Sequence, residues 1–266
     1  MITKESVLAL PLWKDMVTID LTEMKSVKLM NRVDTKFSAP LSLLPDLLSR
    51  AISDYCVQVV DSLPVASYDT LYFDTPDLQM YLRHHDKILQ RDKVRTRTYI
   101  DSCLSFLEVK HKNNKGRTKK KRILISAEDF DDFTHNDEAL NFLGNQVIYK
   151  TDTLIPQVRT VFNRITLVNN ARTERLTIDF DLHFENEQTK LIAELPDVMI
   201  IELKQDGLVY SRMKDILSDM HIHQLSISKY CIGTVLTNPN AKYNRFKKKV
   251  IFINKLINNK YNYNYE

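Results

Sequence analysis

"FLEVKHK", Phe106–Lys112, decides how the rest of the chain is read. Apolar and β-branched residues make it a strand. Side chains alternate between the two faces of a strand, so Glu108, Lys110 and Lys112 share one face. That face is entirely charged, on a strand that otherwise looks half-buried. "IIELKQD", Ile200–Asp206, repeats the pattern with Glu202 and Lys204 two apart.

The same parity rule extends outward from these two runs. In "RVDTKF", Arg32, Asp34 and Lys36 align, with Val33 and Phe37 opposite. In "KVRTRTY", Lys93, Arg95, Arg97 and Tyr99 align. In "KKKRILIS", Lys119 and Lys121 align. Arg164 has the opposite parity to Arg159, and Arg175, Thr177, Asp179 and Asp181 align in "ERLTIDFD". For one strand, a solvated outer face explains such a pattern, because charged residues are mostly exposed. Five or more strands with basic residues two apart fit a second arrangement: a sheet curled on itself with these faces lining a polar lumen. Like charges at close range need a polyanion between them, and a few carboxylates among them suit a divalent metal. Such a lumen suits a phosphate chain, since Arg offers forked donors and Lys a point charge.

Composition limits the alternatives. The chain has 266 residues, 43% hydrophobic and 27% charged, enough for one large domain or two small ones. Its four glycines contain neither GxGxxG nor GxxxxGK[ST], so a phosphate site must be built from side chains. The formal charge is +4, but the segment after Asn240 carries seven cations and one acid, leaving the preceding body near −2. A generally basic nucleic-acid binder is therefore excluded, and no specific nucleic acid is expected as partner. Cys56, Cys103 and Cys231 are unpaired in sequence, which suggests reduced thiols and a cytoplasmic location. No apolar run approaches a membrane span, and "VLALPLW" lacks the flanks of a signal peptide. His84-His85 and His221-x-His223 lack a third ligand spacing and read as surface or satisfied histidines.

Strands are expected at 32–38, 66–75, 93–101, 105–112, 119–126, 157–169, 174–185 and 198–205. Helices are expected in 19–31, after Pro40, after Pro76, in "AEDFDDFTHNDEALNFL", and near 208–219 and 227–236. "NNKG" fits a hairpin loop. The fold class is α+β: an antiparallel β-barrel, or tunnel, of about eight strands with flanking helices. Residues 1–18 form an N-terminal segment, 19–237 the tunnel domain, and 238–266 a basic Asn/Lys/Tyr-rich tail. The tail is expected to be poorly ordered apart from a short helix at "KKKVIFINKLI". It reads as a solvated end. The alternative is a basic amphipathic segment touching the inner face of an anionic membrane or a membrane-protein partner.

Taken in order, "RVDTKF", "YFDT", "VRTRTY", "FLEVKHK", "VFNRITL", "RLTIDFD", "IIELK" and "SISKYCIG" resemble the VTC domain. That family is the polyphosphate polymerase branch of the CYTH-like triphosphate tunnel enzymes, and the resemblance covers roughly Ile19 to Leu236. It implies a barrel whose lumen holds triphosphate and Mn²⁺ or Mg²⁺, with ATP and inorganic polyphosphate as partners and γ-phosphate transfer as the activity. Carried over by motif, Lys36, Lys110 and Lys229 are the catalytic cations. Arg32, Arg95, Arg97, Lys121, Arg164, Arg175 and Ser228 are assigned to substrate, and Glu202, with Glu108, to metal. Two departures stand out. Phe162 occupies a position where tyrosine is expected. The E-x-E-x-K of hydrolytic relatives reads Arg32-x-Asp34-x-Lys36, which turns one acid into a base and shortens the other, weakening the grip on a second metal and on a hydrolytic water. A tunnel triphosphatase and a non-catalytic polyphosphate- or RNA-binding module remain as alternatives.

Overall fold

The computed structural model describes residues 2–27, 29 and 32–258. In chain order the elements are α1 (Lys4–Leu8), β1 (Thr18–Ile19), β2 (Arg32–Pro40), α2 (Leu44–Ala51), β3 (Tyr55–Gln58) and β4 (Val65–Asp74). Then come α3 (Gln79–His85), β5 (Arg91–Tyr99), β6 (Leu104–Lys112), β7 (Thr118–Ile125) and α4 (Asp137–Gly144). The chain continues with β8 (Ile155–Asn169), β9 (Glu174–Asn186), β10 (Ile192–Leu195), β11 (Val198–Asp206), α5 (Arg212–Asp219), α6 (Lys229–Thr237) and α7 (Lys247–Asn258).

All eight expected strands form. They pair antiparallel in the order β2-β11-β9-β8-β4-β5-β6-β7, with the short β1, β3 and β10 added at the margins. The fold is the expected α+β tunnel, realised as a curled sheet. Among the described residues its first and last strands, β2 and β7, share no ladder. A physical reason is visible in β7. Lys119, Lys120, Lys121 and Arg122 load this edge with charge, which resists pairing.

Most of the apolar core lies outside the curl. Outward residues of β2, β8, β9 and β11, such as Phe37, Ile165, Ile178 and Ile201, pack under α2 and α5. Pro45 starts α2, whose Leu44, Leu47, Leu48 and Ala51 form one buried face. Leu71, Val94, Leu107 and Val109 pack outward beneath Phe130, Phe133 and α4. A third cluster fills one end of the curl, where α6 and α7 bury Tyr230, Ile232, Phe246 and Ile253 against Tyr72, Phe162, Leu182, Phe184, Val198 and Ile200.

A bulge in β9 makes this plug fit. Asp181 has φ of 53°, and the β8/β9 register shifts between Val161 and Asn163. Before the bulge, Arg175, Thr177 and Asp179 face the lumen; after it, Leu182 and Phe184 pack with α6. The helix lies so close that a Cβ on Gly233 would fall 2.7 Å from Phe184 and 2.8 Å from Val158.

Three expectations differ from the fold. Among the described residues of 19–31, where a helix was expected, the chain holds the end of β1 and a 3₁₀ turn at Glu23–Ser26; residues 28, 30 and 31 lie outside the described residues. The segment "AEDFDDFTHNDEALNFL" is helical only in its second half, where Asn136 caps α4 by accepting from the Ala139 amide. Within the tail, residues 238–246 take a defined path with a 3₁₀ turn at Asn244–Phe246, where poor order was expected, while the helix expected at "KKKVIFINKLI" forms as α7 and docks with Ile253 fully buried. Its buried apolar residues rest on the body of the protein. Residues 259–266 of the expected tail lie outside the described residues.

Candidate functional site

The curl encloses a cavity of about 880 Å³, lined by fourteen lysines and arginines and four acids. Strand register places them. Lys36 on β2 stands opposite Glu202 on β11, and Lys204 lies between Asp34 and Arg175. Arg95 stands opposite Glu108, and Glu108 opposite Arg122. Lys93, Lys110 and Lys120 stand directly opposite one another across β5, β6 and β7. Opposed like charges on one sheet face destabilise it unless something of opposite sign lies between them.

The carboxylates hold some cations in place. Glu108, 1% exposed, accepts from Arg95 Nε and Nη2 at 2.8 and 2.6 Å and pairs with Lys120. Burial alone would raise its carboxyl, but Arg95, Arg97 and Lys120 outweigh that and hold it at about 2. Asp179 accepts from Arg164 at 2.5 and 2.8 Å and from Lys229 Nζ. The same balance, burial against Arg164 and Lys229, keeps Asp179 well below the usual carboxylate range. Glu202 sits between Lys204 at 2.8 Å and Lys36 at 3.3 Å.

Other cations keep free donors. Lys110 makes no hydrogen bond or ion pair among the described residues. Arg97 donates Nε to Thr70 at 3.0 Å, and its guanidinium lies over the rings of Tyr68 and Phe162. Arg175 Nε is buried without a partner. Burial draws Lys93, Lys110, Lys120, Lys204 and Lys229 each down to about 8, with neighbouring cations adding to the effect and Glu108, Asp179 and Glu202 opposing it. Burial and then Arg95 draw Arg97 to about 10, where it is still charged at neutral pH.

Helix α6 delivers two further groups. Its cap Ser228 accepts from the Cys231 amide at 3.4 Å and from Lys93 Nζ at 2.7 Å. Lys229 Nζ reaches back into the lumen 4.2 Å from the Phe162 ring centre. Phe162 stacks on Tyr68 at 5.2 Å, so at this position a ring without a hydroxyl forms an apolar floor under Arg97, Arg164 and Lys229.

The structure therefore gathers Lys36, Arg95, Arg97, Lys110, Arg164, Arg175, Glu202, Ser228 and Lys229 around one cavity, with Glu108 beneath Arg95. Arg32 lies at its rim, 2.7 Å from Asp34. Lys121 needs correction. The β6/β7 register puts it opposite Val109 on the outer face, and Lys120 and Arg122 point inward in its place. Lys93, Lys120, Arg122, Lys204, Tyr72 and Asp179 join the site without having been singled out. Parity already aligned Lys93 with Arg95, and Lys204 with Glu202. Nothing in the run of Lys119–Arg122 shows which two residues turn inward.

The carboxylates do not fit a protein-built metal centre. Among the described residues no three His, Cys, Asp or Glu side chains come together as ligands. Both oxygens of Glu202 face ammonium groups, and Glu108 is held by Arg95 and Lys120. Hard divalent ions need several oxygen donors.

A family model of the VTC domain matches residues 31–238. The chain belongs to the VTC domain family. Among solved structures, this VTC domain is similar to a Hippeastrum protein named as an adenylyl cyclase candidate with a dominant triphosphatase activity. The identity is 13%, 79% of this chain and 98% of that one are covered, and the TM-score is 0.45. It is also similar to an adenylate cyclase candidate from Vibrio parahaemolyticus (12% identity, 77% and 99% covered, TM-score 0.40) and to the PH1819 protein of Pyrococcus horikoshii (12%, 77% and 98%, TM-score 0.41). No curated protein matches the sequence. Among the described residues of this VTC domain, no helix is long and apolar enough to cross a membrane.

Proposed function

We propose that this VTC domain polymerises phosphate, moving the γ-phosphate of ATP onto a growing inorganic polyphosphate chain. One observation carries the reading: Lys93, Lys110 and Lys120 face one another across three strands while Lys110, Arg97 and Arg175 keep donors that no protein group takes. A chain of phosphates satisfies all of them at once. Phosphoryl transfer asks chiefly for positioning and for charge neutralisation.

In this scheme an oxygen of the terminal phosphate on the chain attacks the γ-phosphorus in line. The bond from that phosphorus to the bridging oxygen of the β-phosphate breaks, and ADP leaves with the electron pair. The attacking oxygen is already anionic, so no general base is required. Lys36, Lys110 and Lys229 neutralise charge at the transferring phosphate and the chain end. Arg97 and Arg175 grip nonbridging oxygens, while Arg95 and Arg164 are oriented by Glu108 and Asp179. The pairing of Arg32 with Asp34 supports transfer over hydrolysis, since that acid is engaged by a neighbour and not poised over a water.

The test is to incubate the pure protein with ATP and Mn²⁺, Mg²⁺ or EDTA and to separate the products on a gel. A ladder of phosphate polymers is the expected result. Free phosphate alone means a triphosphatase, and binding without turnover means a binding module; either result overturns the polymerase reading.

A further inference from the structure

The two mouths of the cavity differ. At one, where β2 begins and β11 ends, Asp34 and Asp101 stand beside apolar Leu21, Met24 and Leu104, with Arg32 paired to Asp34 and Lys4 to Asp101. At the other end, on the flank left beside the plug of α6 and α7, the cavity reaches the end of β6 and the start of β5 and is lined there by His84, Arg91, Lys93, Lys112 and Ser226, with no acid. A polyanion leaving the first mouth passes carboxylates, their paired cations and apolar side chains; one leaving by the second meets cations that no acid neutralises.

The cationic mouth continues onto α7. Lys249 donates to the Ser226 carbonyl, tying the helix to the loop that lines the cavity. Lys247 and Lys248, in the first turn of α7, are exposed. His84 Nδ1 is buried without a partner, in the field of Arg91, Lys93, Lys112 and Lys249. Burial, then those cations, push His84 down to about 2, so it stays neutral and adds a polar lining without competing for anions. Helix α7 begins at Lys247, beyond the 31–238 stretch matched by the family model.

We propose that the cationic mouth and the first turn of α7 form an exit track for inorganic polyphosphate, with Arg91, Lys112 and Lys249 holding the part of the chain that has left the cavity. This rests on the polymerase reading and gives the tunnel a direction. Chain growth then proceeds in the lumen while earlier phosphates slide outward over α7, and retention on the track favours long products.

The test compares long-chain polyphosphate with tripolyphosphate, which is too short to span lumen and track, by titration calorimetry. The variant is Lys112→Gln/Lys249→Gln, which removes two charges and keeps an amide donor near Ser226. Wild type should prefer the long chain, and the variant should lose roughly tenfold of that preference. Its ATP-derived ladder should also shorten. A thermal scan checks that α7 stays docked; should the double variant fail to fold, Lys112→Gln alone, next to the β6–β7 hairpin, should lose about half of that effect on a logarithmic scale. A variant that keeps the wild-type preference, or a wild type without one, overturns the exit track. Long-chain preference without any ladder from ATP removes the polymerase reading and leaves the track as a polyphosphate-binding surface.

Discussion

The two faces of strand β6 do opposite work within one nine-residue segment. Leu107 and Val109 point outward into the apolar cluster under α4, where they are almost fully buried. Glu108 and Lys110 point inward among Arg95, Lys93 and Lys120. A barrel usually fills its interior with apolar side chains; here most of the core has moved outside and the interior holds charge. Hydrophobic burial on the outer face supplies stability, and part of it offsets the repulsion gathered within. Stability and chemistry are thus carried by alternate residues and should respond separately to mutation.

The largest effect is expected from the inner face. Lys110→Ala should lower polymer synthesis by ~100-fold or more, as loss of transition-state charge stabilisation does, with the thermal midpoint held or raised. Glu202→Ala should lower synthesis by a similar factor because it frees Lys36 and Lys204 from the acid that positions them, and it should lower the midpoint while leaving the protein folded at the assay temperature. A variant that loses activity only because it unfolds would break the contrast. Next comes the outer face. Leu107→Ala, at a fully buried position, should cost ~2–5 kcal/mol in urea unfolding. The activity of the fraction that stays folded should remain near wild type.

A pH measurement sharpens the same contrast. Lys93, Lys110, Lys120, Lys204 and Lys229 sit near 8 in the free protein, so they are charged at pH 6 and partly neutral between pH 8 and 9. Bound phosphates favour the charged forms and raise these values. On binding tripolyphosphate these lysines should therefore take up protons at pH 8–9 and almost none at pH 6, against the protons that the ligand's own terminal phosphates release in the same range. Calorimetry in two buffers of different ionisation enthalpy reads the net exchange, and comparison with Lys110→Ala isolates the lysine share: the variant should take up fewer protons at pH 8–9, and an unchanged exchange would contradict the placement. The smallest effect separates adjacent residues. Lys120→Ala should weaken tripolyphosphate binding roughly fivefold, about the worth of one near-surface charge, while exposed Lys121→Ala should leave it unchanged.

The eight strands were legible because alternation between apolar and charged residues survives without any tertiary information. Most of the site was legible for the same reason: Lys36, Arg97, Lys110 and Glu202 sit at parities that a solvated face explains strand by strand, and that fit a lumen once five or more strands repeat them. The rest depended on facts that alternation does not encode. A run of four basic residues has no alternation, so the choice between Lys120 and Lys121 waits on the β6/β7 register. The bulge at Asp181 reverses the parity of β9 partway along, which decides that Asp179 meets Arg164 and that Leu182 meets α6. The helix at "KKKVIFINKLI" was legible within an Asn- and Lys-rich tail, but its docking was not: Phe246, Val250, Ile253 and Leu256 seat α7 on the body. The metal assignment of Glu108 and Glu202 followed the family pattern, and it could not anticipate the lysines and arginines that surround both carboxylates.

The most direct test is a crystal structure of the protein with tripolyphosphate. The expected result is a phosphate chain inside the curl, bridging Lys36 on β2 to Lys110 on β6 with Arg97, Arg175 and Lys229 around it. Phosphate bound instead on the outer face beside Lys119 and Lys121, with the cavity holding none, would contradict the claim that these inward cations form one polyanion site.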